Sequence, residues 1–219
     1  MKLELENYEA SRKMLPGSGQ QIVAQCTEDE LVVYQAYKPS TAKYSVEHQE
    51  LGGPEFSYNR MSWIKPNFLW MMFRCGWAEK KDQEHVLAIW LKKTALIEIL
   101  ENVVTTNFDL SHHTDMDKWK EDLKTKQVQL QWDPDHDPFG NKLTRRAMQL
   151  GLKRQMLRNF GKTYISRIED ITPFVKEQKQ LLDNGKLSEL IVPVERVWKI
   201  GNPELEHRIR IDHGNDNTL

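Results

Sequence analysis

The sequence predicts a single α+β domain in which one mixed sheet, or two small sheets, packs with helices. About six short runs of strand length interleave with about four to six helical segments, which is the pattern of this class. The 219 residues suffice for one substantial domain, and no linker-like stretch divides them. We therefore expect one domain over residues 1–200, followed by a polar C-terminal tail over residues 201–219.

The first half of the chain contains sequence signals that mark where strands and helices begin and end. Residues 21–26 and 31–37 are predicted to be strands joined by the polar turn TEDE. A helix is predicted at 40–51, because a Pro-Ser pair precedes it and two glycines follow it. Residues 55–65 are expected to be extended, since Lys65 precedes a proline and is biased away from the helical region.

The segment PNFLWMMFRCGW, which begins at Pro66, contains the longest strictly apolar run of the chain. Proline suits the first turn of a helix, and only Asn67 and Arg74 are polar after it. A helix that is apolar nearly all round is buried on most sides. We therefore expect Trp70 and Phe73 to be packing residues.

A second apolar run, residues 85–93, is typical of a strand that is covered on both faces. Thr94 is expected to cap the helix that follows it. Residues 128–132 alternate like a half-buried strand. The nine residues 133–141, DPDHDPFGN, contain two prolines and a glycine, which predicts a loop.

Residues 145–153 are predicted to be a strand leaving this loop. A short helix ending at Gly161 follows, and then a strand over 162–168. The next helix is expected to use Thr172 as its cap and Pro173 as its first residue.

Composition excludes several classes of protein. A net charge of −1 argues against a general polyanion-coating protein but allows a local basic patch. The run FLWMMF is far too short to span a bilayer, and the first residues lack the apolar region of a signal peptide. Cys26 and Cys75 form neither a disulfide framework nor a zinc spacing. We expect a reduced, intracellular protein, cytoplasmic or nuclear, without membrane association.

Polar residues before the apolar helix are candidates for an anion site. Alternate residues of an extended segment face the same side, so Arg60 and Ser62 would share a face. Lys65 lies next to the helix start, where free N–H groups attract anions. This set suits a phosphate or pyrophosphate. Alternatively, the cations rim the core with their stems packed on tryptophan.

Two glutamines lie in otherwise apolar strands. Gln35 shares a strand face with Tyr37, and Gln149 lies inside the later strand 145–153. A buried amide must find hydrogen-bond partners. Each glutamine is therefore either a candidate site residue or a satisfied core amide.

The loop segment 133–137 places three carboxylates and an imidazole in five positions. It could hold a divalent metal if His112 or His113 supplied further ligands. The EF-hand template fails, because Pro138 replaces the required glycine and Thr144 the required glutamate. An Asp/Pro turn that caps itself is the favoured interpretation, and we expect no metal.

Residues 141–168 contain eight Lys and Arg and no Asp or Glu. This local asymmetry predicts a phosphate-facing patch over 142–167 that would bind DNA or RNA. Alternatively, it is a solvated basic surface paired with the acidic segment 115–122.

Five stretches together resemble domain-of-unknown-function family 4291, in collinear order from about residue 5 to residue 200. They are VVYQAYKPSTAKYSV, RMSWIKPNFLWMMFRCGW, VLAIWLKK, QWDPDHDPFGNKLTRRAMQLGL and YISRIEDITPFV. The motifs MSWIKP-FLWMM and QWDP are specific, so the chain is identified as a member of that family. The family name implies no chemistry.

The order of elements also resembles the ADP-ribosyltransferase fold. That fold has an early strand, a helix, an extended segment with a small polar residue, a packed helix, another strand, and a late strand with an acidic or amide residue. Here the corresponding parts would be 34–37, 40–51, 60–62, 67–77, 86–91 and Gln149. The resemblance implies NAD as a substrate and transfer of ADP-ribose to a nucleic-acid or protein acceptor.

The same resemblance implies roles for individual residues. Arg60 and Lys65 would hold the NAD pyrophosphate, Ser62 the nicotinamide ribose, and Gln149 the ribose hydroxyls. Further nucleotide contacts would come from Gln35, Tyr37 and Arg146.

The chain departs from that fold in two ways. Its first strand carries neither His nor Arg, and its late strand carries Gln149, which can orient a ribose but cannot act as a base. The candidate bases are Asp133, Asp135 and His136. Two alternatives stay open: a non-catalytic nucleic-acid or nucleotide-binding module, and a metal-dependent hydrolase.

Overall fold

The α+β class is confirmed, with the strands divided among small sheets. The computed structural model describes residues 3–110 and 115–212. The strands are β1 (Leu5–Asn7), β2 (Gly19–Gln20), β3 (Val23–Ala24), β4 (Glu30–Tyr37), β5 (Ser62–Ile64), β6 (His85–Lys92), β7 (Val103–Thr105), β8 (Val128–His136), β9 (Lys142–Leu152), β10 (Ile165–Asp170), β11 (Ile191–Pro193) and β12 (Arg196–Val197). The helices are α1 (Tyr8–Met14), α2 (Pro39–His48), α3 (Phe68–Cys75), α4 (Lys93–Glu101), α5 (Met116–Thr125), α6 (Arg154–Asn159), α7 (Thr172–Asp183) and α8 (Pro203–Arg208).

Two sheets form the framework. In the smaller one, β6 lies between β4 and β10 and pairs antiparallel with both. The larger one has the order β2-β9-β8-β7, and β5 pairs antiparallel with the end of β9. It is mixed, because β2 runs parallel to β9 and β7 runs parallel to β8. Two short pairs, β1 with β11 and β3 with β12, complete the pairing.

The two sheets meet at one backbone bridge. Tyr34 of β4 and Lys65, just after β5, exchange hydrogen bonds with N···O distances of 2.7 and 3.3 Å. This bridge brings the end of β4 beside β5, and it thereby positions the polar residues of both strands.

Each face of the smaller sheet is buried in its own core, as predicted for 85–93. On one face, Leu31, Val33 and Ile89 pack against the larger sheet, α2 and α4. On the other face, Tyr34 and Trp90 pack against α3 and α7. The strict alternation along β4 and β6 explains why an unbroken apolar run forms a strand here.

Helix α3 begins two residues after the predicted proline start. The N-cap is Asn67, whose side-chain oxygen accepts a hydrogen bond from the N–H of Trp70 at 2.8 Å. Pro66 therefore precedes the cap, because an amide oxygen can satisfy a free helix N–H and a proline ring cannot. The helix ends at Gly76, whose φ of 58° lets its N–H turn back to the last carbonyls.

Two predicted threonine caps are wrong. Helix α4 begins at Lys93, so Thr94 lies within its first turn. In α7, Thr172 is the first helical residue. Its hydroxyl accepts a hydrogen bond from the N–H of Val86, while Asp170 accepts the N–H of Thr172. The hydroxyl of Thr172 therefore ties the helix to β6.

The prediction of a loop over 133–141 is wrong for its first half. Strand β8 continues through Asp133 and Pro134 to His136, and its register against β9 shifts after Pro134. Strand β7 pairs with β8 only as far as Leu130. Beyond that point β8 is an edge strand, where a proline and a bulge are tolerated.

The described part of the predicted polar tail, residues 201–212, packs partly against the core. Leu205 and Ile209 are 2% and 0% exposed, on α8 and just after it. The indole N–H of Trp132 donates to the carbonyl of Ile209 at 2.9 Å. Two apolar residues four positions apart are enough to hold a short amphipathic helix against the core. In a segment that is otherwise polar, two such residues give only a weak sequence signal.

None of the helices in residues 3–110 and 115–212 has both the length and the apolar content that a membrane span requires.

Candidate functional site

A cavity of about 510 Å³ lies where the ends of β4 and β5 and the helix α3 meet the larger sheet. Its walls come from segments that are far apart in sequence. The cavity is lined by six of the residues that the sequence singled out: Gln35, Tyr37, Arg60, Ser62, Lys65 and Gln149. Because polar residues from separate segments in otherwise apolar surroundings converge here, this cavity is the candidate site.

Gln35 is a buried amide that fixes the hydroxyl groups beside it. Its Nε2 donates to Ser62 Oγ at 2.7 Å and to the carbonyl of Trp63 at 3.2 Å. Its Oε1 accepts from the hydroxyl of Tyr37 at 2.8 Å. Burial raises the pKa of Tyr37, so this phenol stays neutral. Gln35 is therefore both a satisfied amide and a support for Ser62.

Lys65 presents a buried amine to the cavity. The residue is 3% exposed, and its Nζ lies 3.4 Å from the carbonyl oxygen of Trp63. Burial lowers the pKa of Lys65 to about 8; Arg74 acts in the same direction and Asp133 opposes it. A substantial fraction of this side chain is therefore uncharged in mildly alkaline solution.

Gln149 lies on the sheet floor in a row of polar side chains. In the β8–β9 pairing Gln131 is opposite Gln149, and Asp133 lies on the same face. Asp133 accepts from Gln149 Nε2 at 2.6 Å and from Gln131 Nε2 at 2.7 Å. A carboxylate only accepts hydrogen bonds, so the amide nitrogen of Gln149 must face Asp133. Among the described residues, the carbonyl oxygen of Gln149 has no hydrogen-bond partner and is thus available to a ligand.

Gly151 allows β5 to approach this floor closely. A Cβ added at Gly151 would lie 2.7 Å from the Met61 sulfur and 2.9 Å from the Trp63 ring. The Met61 and Trp63 side chains therefore cover the sheet beside Gln149 and close one side of the cavity. A larger residue at 151 would push them away.

The cavity wall is cationic. Arg60, Lys65 and Arg74 line it, and none of the described residues that line it is an Asp or a Glu. Arg60 also lines an adjoining cavity of about 340 Å³, which includes Phe56 and Glu55. The two cavities share Tyr37, Arg60, Met61 and Ser62 as lining residues and are together called the groove. The cationic side chains of the larger cavity favour an anionic ligand there, whereas the smaller cavity also contains the carboxylates of Glu55 and Asp82.

The start of α3 is fixed by a buried carboxyl. Glu195, which is 5% exposed, accepts from the N–H of Phe68 at 2.6 Å and from the side-chain amide of Asn67 at 3.1 Å. Burial raises the pKa of Glu195 well above its ordinary value. Because Lys65 precedes this helix and Arg74 lies in its last turn, Glu195 helps to position both cations without lining their cavity.

The structure separates Arg146 from the site. Arg146 and Gln149 differ by an odd number of positions on the regular part of β9, so their side chains leave opposite faces. Arg146 is exposed. The prediction that it contacts the same nucleotide as Gln149 therefore finds no support in its position.

Asp135 and His136 do not lie in the cavity. Asp135 forms a buried pair with Arg145, at 2.8 Å to Nε and 2.6 Å to Nη2. His136 is 2% exposed and stacks on Phe73, with ring centroids 3.6 Å apart, and on Trp70 at 5.1 Å. Burial lowers the pKa of His136, so its imidazole is neutral. Both residues are part of the packing behind α3.

Phe73 differs from the expectation of a buried packing residue. It is 39% exposed, whereas Trp70 is 7% exposed. One face of the Phe73 ring covers His136, and the residue also contributes to the protein surface.

The carboxylates of 133–137 diverge, which weakens the metal-hydrolase alternative. Asp133 faces Gln149, Asp135 faces Arg145, and Asp137 accepts from the backbone of the turn after it. Across 3–110 and 115–212, no three His, Cys, Asp or Glu side chains are grouped to hold a metal. The candidate ligands at 112 and 113 lie outside the described residues.

The cations of 142–167 face different parts of the molecule. Arg145 is buried with Asp135, and Lys153 donates to the carbonyl of Leu123. Three others lie over aromatic rings: Arg158 and Lys162 over Tyr58, and Arg167 over Trp90. Strand alternation and the turn after α6 thus divide the basic block among separate surfaces.

Sequence reasoning missed Gln131 and the supporting role of Asp133. Gln131 belongs to an alternating polar face that also predicts ordinary solvent exposure. The prolines around Asp133 predict a loop, and a loop prediction does not place its side chain beside Gln149. The pairing of β8 with β9 brings them together.

A comparison with protein families finds a match over most of the chain. The family model described as Domain of unknown function (DUF4291) matches residues 21–198. This span includes β4, β5, α3, β8 and β9, and thus every residue that lines the cavity. No curated protein matches the chain. Because the family model covers most of its length, the chain belongs to the DUF4291 family.

Proposed function

We propose that the protein is an NAD-dependent ADP-ribosyltransferase-like enzyme that transfers ADP-ribose to a nucleic-acid or protein acceptor. One observation carries the proposal: Gln149 is distant in sequence from Ser62 and Lys65, yet it lines one cavity with both of them and with Arg60. A hydroxyl and a carbonyl oxygen suit the hydroxyls of a ribose, and the guanidinium of Arg60 suits a pyrophosphate.

The hydrogen bonds support the role of Gln149. Its amide nitrogen donates to Asp133, so the carbonyl oxygen is directed away from that carboxylate and can accept a hydrogen bond, as a glutamate oxygen would. In this position the carbonyl oxygen accepts from a ribose hydroxyl. Breaking the bond between C1′ and nicotinamide develops positive charge on the ribose, which a fixed carbonyl dipole stabilises.

Ser62 and Arg60 bind two other parts of the dinucleotide. Ser62 is held by Gln35 at 2.7 Å and contacts the nicotinamide ribose. Arg60 lies where the two cavities join and binds the pyrophosphate as a charge-assisted donor. The cavities measure about 510 and 340 Å³, which is within the usual range for cofactor-sized ligands.

The direct test uses NAD labelled in its adenylate half, incubated with DNA, RNA or protein acceptors. Release of nicotinamide and transfer of the label are measured together. Gln149→Ala should lower nicotinamide release by about 10²-fold or more. The matched variant Gln155→Ala, on the exposed face of α6, should retain it. If wild-type protein at high concentration neither releases nicotinamide nor transfers label, the proposal fails.

A further inference from the structure

Within residues 3–110 and 115–212, no Asp, Glu or His, the usual proton acceptors, lines the cavity. Its titratable lining residues are Tyr37, Arg60, Lys65 and Arg74. A guanidinium stays protonated and cannot accept a proton. The hydroxyl of Tyr37 is already bonded to Gln35, and its pKa is raised by burial. Lys65 is therefore the lining residue that can change its protonation state at moderate pH.

The bases suggested by the sequence are engaged elsewhere. Asp133 accepts two amide hydrogen bonds and lies behind Gln149. Asp135 is paired with Arg145, and His136 is stacked under Phe73. A transfer reaction in this cavity thus needs a base from the cavity wall itself.

The surroundings of Lys65 suit that task. The described part of the chain places no carboxylate within ion-pair distance of its Nζ, and the nearest acceptor is the carbonyl of Trp63 at 3.4 Å. Arg74 lines the same wall and disfavours a second positive charge. The backbone of Lys65 is fixed by its bridge to Tyr34, so the amine is held at the cavity.

We propose that the neutral amine of Lys65 takes the proton from the acceptor hydroxyl or amine during ADP-ribosyl transfer. The acceptor atom gives its proton to the lone pair of Nζ and forms a bond to C1′ of the ribose. The bond from C1′ to nicotinamide breaks, and its electron pair stays on the nicotinamide nitrogen. Lys65 becomes an ammonium and returns the proton to water. This inference rests on the proposed function.

The assignment changes the role that the resemblance implies for Lys65. Binding of pyrophosphate needs a permanent cation at an accessible position, which describes the exposed Arg60. A buried lysine shifts its pKa readily and is suited to general-base work. Arg60 and Lys65 thus have separate functions in one cavity.

The test compares pH profiles of transfer between pH 6 and 10 for wild type, Lys65→Arg and Lys65→Met. The wild-type rate should rise with pH and level off above about 8. Both variants should lose about 10²–10⁴-fold in transfer rate and lose this inflection. The affinity for NAD, measured by calorimetry, should change much less. Lys43→Met, whose parent side chain is 77% exposed on α2, serves as the control.

Chemical rescue provides a second readout. Added ethylamine should restore part of the transfer rate of Lys65→Ala in proportion to its free-base concentration, and it should not affect wild type. If wild type transfers ADP-ribose and Lys65→Arg keeps its rate and pH profile, the base assignment fails and the proposed function stands. If wild type shows no transfer and no nicotinamide release, the proposed function fails, and the base assignment fails with it.

Discussion

Asp133 accepts a hydrogen bond from the side-chain amide of Gln149 at 2.6 Å, and this contact determines which end of Gln149 meets a ligand. A second bond from Gln131 holds the other carboxylate oxygen. Asp133 is therefore a positioning residue, held on both sides, rather than a proton acceptor in the cavity. Because the carboxylate of Asp133 can only accept a hydrogen bond, it contacts the amide nitrogen of Gln149, and the carbonyl oxygen of Gln149 points elsewhere.

Replacing Asp133 with alanine should release Gln149 and weaken NAD binding about 2- to 12-fold, which corresponds to about 0.5–1.5 kcal/mol for one hydrogen bond. Because Asp133 is only partly buried, the melting temperature should change little. Calorimetric titration with NAD measures the effect. Asp117→Ala, on the exposed surface of α5, is the control. Unchanged affinity in Asp133→Ala would show that Gln149 is oriented by other contacts.

Arg60→Ala should leave the melting temperature nearly unchanged, because the residue is exposed at the rim of the groove. It should weaken NAD binding by about 1.5–3 kcal/mol, the scale of a charge-assisted hydrogen bond. Arg208→Ala, an exposed arginine on α8, should change neither property. A lower melting temperature with intact NAD binding would instead make Arg60 a structural residue.

Two aromatic residues of α3 should differ in their effect on stability. Trp70→Ala should lower the free energy of unfolding by about 3–5 kcal/mol, since the side chain is almost fully buried. Phe73→Ala should cost only about 1 kcal/mol, because 39% of the residue is exposed. Urea denaturation measures both changes. Equal losses would mean that Phe73 contributes to packing more than its exposure indicates.

The sequence predicts the elements with strong local patterns. The apolar runs of β4, β6 and α3 define buried segments whatever their partners are, and the polar exceptions inside or beside them, Gln35 and Lys65, line the cavity. These residues stand out because a polar group in an apolar segment needs a partner or a ligand.

Non-local pairing explains what the sequence did not predict. Strand β8 extends past Pro134 because β9 still pairs with it there, whereas β7 has already ended. The residues near 134 do not reveal which strands will pair with them. The composition of 142–167 predicted one basic surface, although strand alternation sends Arg145 inward and Arg146 outward. A count of charged residues does not show which way each side chain points, so it cannot show whether the residues form one surface.

Because Asp135 and Arg145 form a buried ion pair, substitution of either residue should cause a large loss of stability. Removing either partner leaves an unpaired buried charge, so Arg145→Ala should destabilise the domain by about 3–5 kcal/mol. Lys120→Ala breaks an exposed pair with Asp117 and should cost at most about 1 kcal/mol. Thermal and urea denaturation compare the two variants. A small effect of Arg145→Ala would indicate that water reaches Asp135.

Lys65 should make stability depend on alkaline pH. Its pKa is about 8 in the folded protein and 10.5 for the ordinary side chain. Between these values the unfolded chain binds more protons than the folded one, so the free energy of unfolding rises with pH over this window. As pH falls through about 8, that contribution is lost, because burial of the ammonium opposes folding.

Lys65→Met removes this buried charge. The variant should therefore be more stable than wild type at pH 7, by on the order of 3 kcal/mol at most. The difference should shrink as pH rises from about 8 to 10.5. Urea denaturation at closely spaced pH values measures both proteins, and other groups that titrate in this range cancel in the comparison. Lys43→Met should show no such trend, since that lysine is exposed. Parallel stability curves for wild type and Lys65→Met would mean that the Lys65 amine keeps an ordinary pKa and is hydrated in the folded protein.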